Sequence, residues 1–127
     1  MTENAIATQI VDAAYRIHKE LGPGLLESVY EIVLAAELKK RGFEVLRQHP
    51  VPITYEGLHF ELGFRADLIV QDLVIVEVKS VEEVSPVHAK QLLTYLRLTN
   101  KKLGLLINFN RKLIKDGIKR VVNGLTD

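Results

Sequence analysis

Apolar positions in the first forty residues recur at helical spacing. Ile6, Ile10, Ala14, Ile17 and Leu21 lie three or four apart, which predicts a helix over residues 3–21. Gly22-Pro23-Gly24 ends it, since glycine serves as a C-cap and proline cannot continue the ladder. A second helix is predicted from Leu25 to Arg41, closing at Gly42, with Leu26, Tyr30, Val33, Leu34 and Leu38 on its apolar face. Glu27 stands three residues before Tyr30, which sets a carboxylate on the edge of that stripe. A first-turn glutamate favoured by the helix dipole accounts for the same placement.

From Phe43 the period changes to two. Phe43 to His49 reads as a strand, with Pro50 and Pro52 breaking it before Ile53-Thr54-Tyr55. Glu56-Gly57 predicts a hairpin turn. Leu58, Phe60 and Leu62 then alternate with His59, Glu61 and Gly63, so one face is expected buried and the other polar, with Gly63 suited to a bulge. Past it, Phe64, Ala66, Leu68 and Val70 are expected to share one face, with Arg65, Asp67 and Ile69 on the other. After a turn at Gln71-Asp72, Leu73 to Lys79 is the most apolar strand and is expected at the centre of the sheet.

Ser85-Pro86 opens a third helix, serine as N-cap and proline at the first helical position, running to about Asn100. His88, Gln91 and Tyr95 share one face of it, and Leu92, Leu93 and Leu96 supply packing. Leu103 to Phe109 is a further apolar strand, reached through a helix and therefore expected to pair in parallel with an earlier one. In the tail, Ile118, Val121 and Val122 fit either a short helix or a last strand. Helices and strands in this order predict an α/β fold, and the absence of any repeat or linker predicts one domain over residues 1–127.

Composition narrows the chemistry. There is no cysteine, which excludes disulfides, thiolate metal sites and cysteine nucleophiles. No apolar run reaches the roughly 20 residues of a membrane helix, and Met1-Thr2-Glu3-Asn4 lacks the start of a signal peptide. A cytoplasmic protein with no membrane partner is the expectation. The net charge of +1 is unevenly spread: eight of the 17 Lys and Arg residues, Arg97 to Arg120, fall after residue 96 with only two acids. That asymmetry fits a phosphate-binding face, and a solvated surface fits it as well. No Gly-rich phosphate loop, dinucleotide fingerprint or nucleophile elbow is present, and His18, His49, His59 and His88 lack zinc spacing.

Glu27, Asp67, Glu77 and Lys79 remain. Glu77 and Lys79, two apart, project from one side of a strand otherwise made of Val and Ile, where an unpaired charge is costly. Asp67 and Glu77 lie on neighbouring strands joined by a short turn, so their side chains can converge. Clustered carboxylates repel unless a cation lies between them, and hard oxygen ligands suit Mg²⁺ or Mn²⁺. Such an ion polarises a phosphoryl oxygen, and the neighbouring lysine can orient water or stabilise developing charge. A Glu77–Lys79 ion pair beside an ordinary turn-proximal Asp67 is the competing reading.

Asp67, nine intervening residues, then Glu77-Val78-Lys79 resembles the core motif of the PD-(D/E)XK nuclease superfamily. Gln91-Leu92-Leu93-Thr94-Tyr95 looks like the QxxxY helix motif of its RecB-like branch, and Gly24-Leu25-Leu26-Glu27-Ser28-Val29-Tyr30 matches the signature of the GxxExxY family. The resemblance spans about Ile6 to Asn123, with Ala66 in place of the proline of the superfamily name. It implies a restriction-endonuclease-like, three-layer core: a mixed central sheet flanked by helices. It also implies Asp67, Glu77, Glu27 and the Val78 carbonyl as metal ligands, with Lys79 as the catalytic lysine. Gln91, Tyr95, Tyr30 and His88 would support the site or touch substrate. The implied function is Mg²⁺- or Mn²⁺-dependent hydrolysis of nucleic acid, DNA ahead of RNA, with a homodimer as one arrangement. The alternative is a catalytically silent nucleic-acid-binding or protein-interaction module that keeps the fold.

Overall fold

The structure, a computed structural model, describes residues 1–126, so Asp127, the last residue of the expected domain, lies outside the described residues. Three helices and five strands follow in the order α1 (Glu3–Leu21), α2 (Glu27–Lys40), β1 (Val45–Tyr55), β2 (Leu58–Val70), β3 (Val74–Lys79), α3 (Pro86–Thr99), β4 (Leu103–Asn108) and β5 (Ile118–Val122). Of the two forms expected for Ile118, Val121 and Val122, the structure takes the strand, β5, preceded by a 3-10 turn at Ile114–Gly117. Thr2 caps α1, and Ser85 caps α3 ahead of the proline in its first turn.

The strands form one mixed sheet ordered β1-β2-β3-β4-β5, with β3 at its centre. The α3 crossover makes β3 and β4 parallel, and the other neighbours are antiparallel. Val74, Val76 and Val78 of β3 face a core shared with α1 and α2, whereas Ile75 packs with Leu92 and Leu96 of α3. The result is a three-layer α/β architecture, as the resemblance implied. Among the described residues no helix is long and apolar enough to cross a membrane.

Three expectations for β1 and β2 are corrected. Pro50 and Pro52 do not divide β1: it lies at the sheet edge, where a missing N–H breaks no ladder bond. The irregularity instead falls on β2, where Glu61, Leu62 and Gly63 stand opposite Pro52 as the register moves between Val51 and Ile53. Gly63 is needed there because a Cβ would meet the Ile53 side chain. Secondly, Leu58, Phe60 and Leu62 are exposed. Thirdly, Phe64 and Ala66 pack in the α3-side cluster, while Leu68 and Val70 pack against α1 and α2. The pleat is broken between them, where Gln48, across from Asp67, takes a φ of 50°.

Candidate active site

β2 and β3 pair only through Leu68–Val70 and Val74–Val76, and then separate. Asp67 and Glu77 are the first residues past that fork, one on each strand. The Val78 N–H, which has no β2 partner, donates to Asp67 Oδ2 at 2.8 Å. Asp67 thus caps the end of the ladder while its other oxygen, Oδ1, accepts from Gln48 Nε2 at 3.2 Å.

Glu77 is 8% exposed, and its Oε1 is buried with no hydrogen-bond partner. Burial, followed by the hydrogen bond and charge of Asp67, pushes its carboxyl up to about 9, with Lys79 acting in the opposite sense. That is the response of two carboxylates held together in a dry place. Lys79 is partly buried and forms no ion pair with Glu77 among the described residues. The simple ion-pair reading of this strand therefore does not hold.

α3 closes the same site. Burial raises the Tyr95 phenol above its usual range, with further contributions from Glu77 and Asp67, and a Gln91 hydrogen bond opposes them. Tyr95 stacks on Phe64 with ring centroids 3.8 Å apart, which fixes it over β2. The shared face of Gln91 and Tyr95 is thus turned toward the acids. His88, one turn earlier, is partly buried and its Nδ1 has no hydrogen-bond partner.

The residues of the Gly24–Tyr30 motif divide. Tyr30 is enclosed in the core, stacked on Phe109 at 4.5 Å. Its hydroxyl donates to the Gly22 carbonyl at 2.5 Å and accepts from the Leu25 N–H at 3.2 Å. It therefore clamps the α1–α2 loop. Glu27 is exposed at the start of α2, in a shallow cleft with Ser80 and Asn110. Ser80, next to Lys79, ties this loop to β3 by donating to the Leu25 carbonyl at 2.5 Å.

Sequence reasoning missed Glu31 and Gln48. Glu31, one turn after Glu27 on α2, is 5% exposed and accepts from Arg47 Nε at 2.8 Å and Gln48 Nε2 at 2.6 Å. Gln48 thereby joins a buried helix carboxylate to Asp67. A glutamate among Tyr30, Leu34 and Leu38 was the available signal, because a buried acid requires donors. Gln48 offered none, since its position depends on a positive φ that sequence alone does not reveal.

A divalent ion can be tested against these groups. Two carboxylates in contact, one with a buried unpartnered oxygen, match the hard donors that Mg²⁺ and Mn²⁺ prefer, and Mg²⁺ commonly uses one or two protein carboxylates. Among the described residues, however, no three His, Asp or Glu side chains converge, so Glu27 does not complete the set.

The basic excess is also dispersed. Lys101 is engaged with Asp72 at 2.9 Å, Lys119 lies in a cleft with Ser85 and Pro86, and Arg120 lies with Ala7 and Thr8 on the α1 side. His18 Nε2 is 2.8 Å from the Arg111 carbonyl, a satisfied histidine rather than a ligand.

The fork between β2 and β3 thus carries an acid on each strand, a lysine two residues on and a tyrosine from the crossover helix. The chain belongs to the PD-(D/E)XK nuclease superfamily, whose family model matches residues 4–121. Members are generally dependent on divalent metal, and nucleic acid is the class of partner that membership implies. No curated protein and no solved structure matches the chain.

Proposed function

We propose that this protein hydrolyses phosphodiester bonds in nucleic acid, DNA ahead of RNA, with Mg²⁺ or Mn²⁺ as cofactor. The observation that carries the reading is the Asp67–Glu77 contact at the β2–β3 fork, with Lys79 two residues on. Asp67, Glu77 and the Val78 carbonyl would hold the ion, which supplies charge neutralisation at the phosphoryl group and acidifies water. Lys79 would orient the attacking water and stabilise the charge that develops on the phosphate. Tyr95 and Gln91 would position the substrate backbone, Glu27 would approach from the rim, and His88 would sit along the same helix. Tyr30 serves behind the site by setting the loop that carries Glu27.

Within the superfamily, Gly24-Leu25-Leu26-Glu27-Ser28-Val29-Tyr30 supports assignment to the GxxExxY family, and Gln91 with Tyr95 supports the RecB-like branch. Binding through phosphates, salt-dependent and tolerant of sequence, is the mode that fits.

One observation favours a second reading. Glu27 stands apart from the two acids, so the protein holds fewer carboxylates together than the resemblance implied. A module that binds metal and nucleic acid without turnover needs no more than this.

The deciding experiment incubates supercoiled, linear and branched DNA, and RNA, with each metal, using wild type, Lys79→Ala and Asp67→Ala. Cleavage by wild type is expected to fall by about a hundredfold or more in each variant. Cleavage at wild-type rates in both variants removes the assigned site. Binding without cleavage of any substrate selects the silent module.

A further inference from the structure

The outer halves of β1 and β2 leave the body of the protein as a two-stranded arm. β2 meets β3 only through Leu68–Val70, so from Leu58 to Arg65 it has β1 on one side and no strand on the other among the described residues. Tyr55 stands opposite Leu58, and Ile53 opposite Phe60, which gathers these four on one face. That face continues the cluster beneath α3, where Val51 and Phe64 are buried. Past Phe64 the cover stops: Tyr55 is 66% exposed, Leu58 61%, Phe60 52% and Leu62 49%.

Taking an aromatic side chain as ~200 Å², these residues leave on the order of 400 Å² of apolar surface uncovered. A contiguous patch of that size on a monomer tends to mark an interaction site. The opposite face is already satisfied. Thr54 Oγ1 lies 3.0 Å from His59 Nδ1, and His59 Nε2 lies 2.8 Å from Glu61 Oε1.

We propose that the apolar face of this arm is the docking surface for a second copy of this chain. Residues 53–63 contain Glu56 and Glu61 and no Lys or Arg, which disfavours the phosphates of nucleic acid. The apolar face itself bears no charge, so the same face of a second copy meets it without like-charge contact. A standard interface covers about 800 Å² on each partner, and the arm supplies about half of that. The dimer is therefore weak and concentration-dependent. The proposal stands on the arm alone and does not depend on nuclease activity.

Sedimentation equilibrium of the full chain tests it. The mass is expected to rise from 14.3 kDa toward twice that value, with half-association at about 10–100 μM. Phe60→Glu, and separately Leu58→Glu, should raise that midpoint at least about tenfold, because each sets a charge on the face. Both positions are exposed, so the monomers should keep the wild-type melting temperature. Glu61→Gln on the opposite face should leave the midpoint unchanged. A single 14.3 kDa species at every concentration overturns the proposal. So does association that survives both charged variants, or that Glu61→Gln abolishes equally. Duplex-DNA binding weakened by Phe60→Glu with no change in mass would assign the face to nucleic acid and likewise overturn it.

Discussion

Glu77 carries the strongest electrostatic signature in the protein, and its sign can be followed through to stability. Its carboxyl titrates at about 9 in the folded chain, against 4.5 for an unperturbed glutamate. A raised carboxyl contributes stability that is fully present below pH 4.5 and is lost as pH rises toward about 9, since the folded state alone holds the proton between those values. Without metal, the melting temperature of wild type should fall across that window more steeply than that of Glu77→Gln. Parallel profiles would show that Glu77 is not held as described. Glu31 yields a second residue-level prediction. Glu31→Ala leaves Arg47 Nε and one Gln48 amide proton without their acceptor, and should cost about 1–3 kcal/mol by denaturant unfolding. Gln48→Ala frees one oxygen of Asp67 and should weaken divalent-ion affinity more than it lowers stability. Equal ion affinity in Gln48→Ala and wild type would remove Gln48 from the site.

At the scale of elements, α3 depends on a glycine beneath it. Gly104 of β4 faces Leu92, and a Cβ added there would lie 2.9 Å from the leucine methyls. Gly104→Ala should displace α3 outward and destabilise the protein by about 1–3 kcal/mol. Because α3 carries Tyr95, the Tyr95–Phe64 stack should loosen too, visible as a change in near-ultraviolet circular dichroism. An unchanged melting temperature and spectrum would mean that α3 is seated elsewhere. Helical elements were legible in the sequence because their signals are local: Ser85-Pro86 and Gly22 mark boundaries that the structure keeps. The β1–β2 arm was less so. Alternation at Leu58, Phe60 and Leu62 reports two unlike faces but not whether anything covers the apolar one. The pleat also reverses near Asp67 through the Gln48 backbone, an event with no compositional marker.

For the whole molecule, the order of elements placed β3 at the centre of the sheet and β4 parallel to it, and both follow from a helical crossover and an all-apolar strand. The candidate site was legible in part. Asp67 and Glu77 meet because a short turn joins their strands, and Tyr95 reaches them because α3 crosses the face on which Glu77 projects. Glu27 and the basic tail behave differently, since their placement depends on a loop clamp and on which face of β5 each cation takes. The account as a whole rests on the Asp67–Glu77 pair as a cation site. Calorimetric titration of the chain with Mn²⁺ at pH 7, in buffers of different ionisation enthalpy, addresses it directly. One saturable site is expected, releasing about one proton per ion as Glu77 ionises, and lost in both Asp67→Asn and Glu77→Gln. No saturable binding, or binding unchanged in both variants, would contradict it.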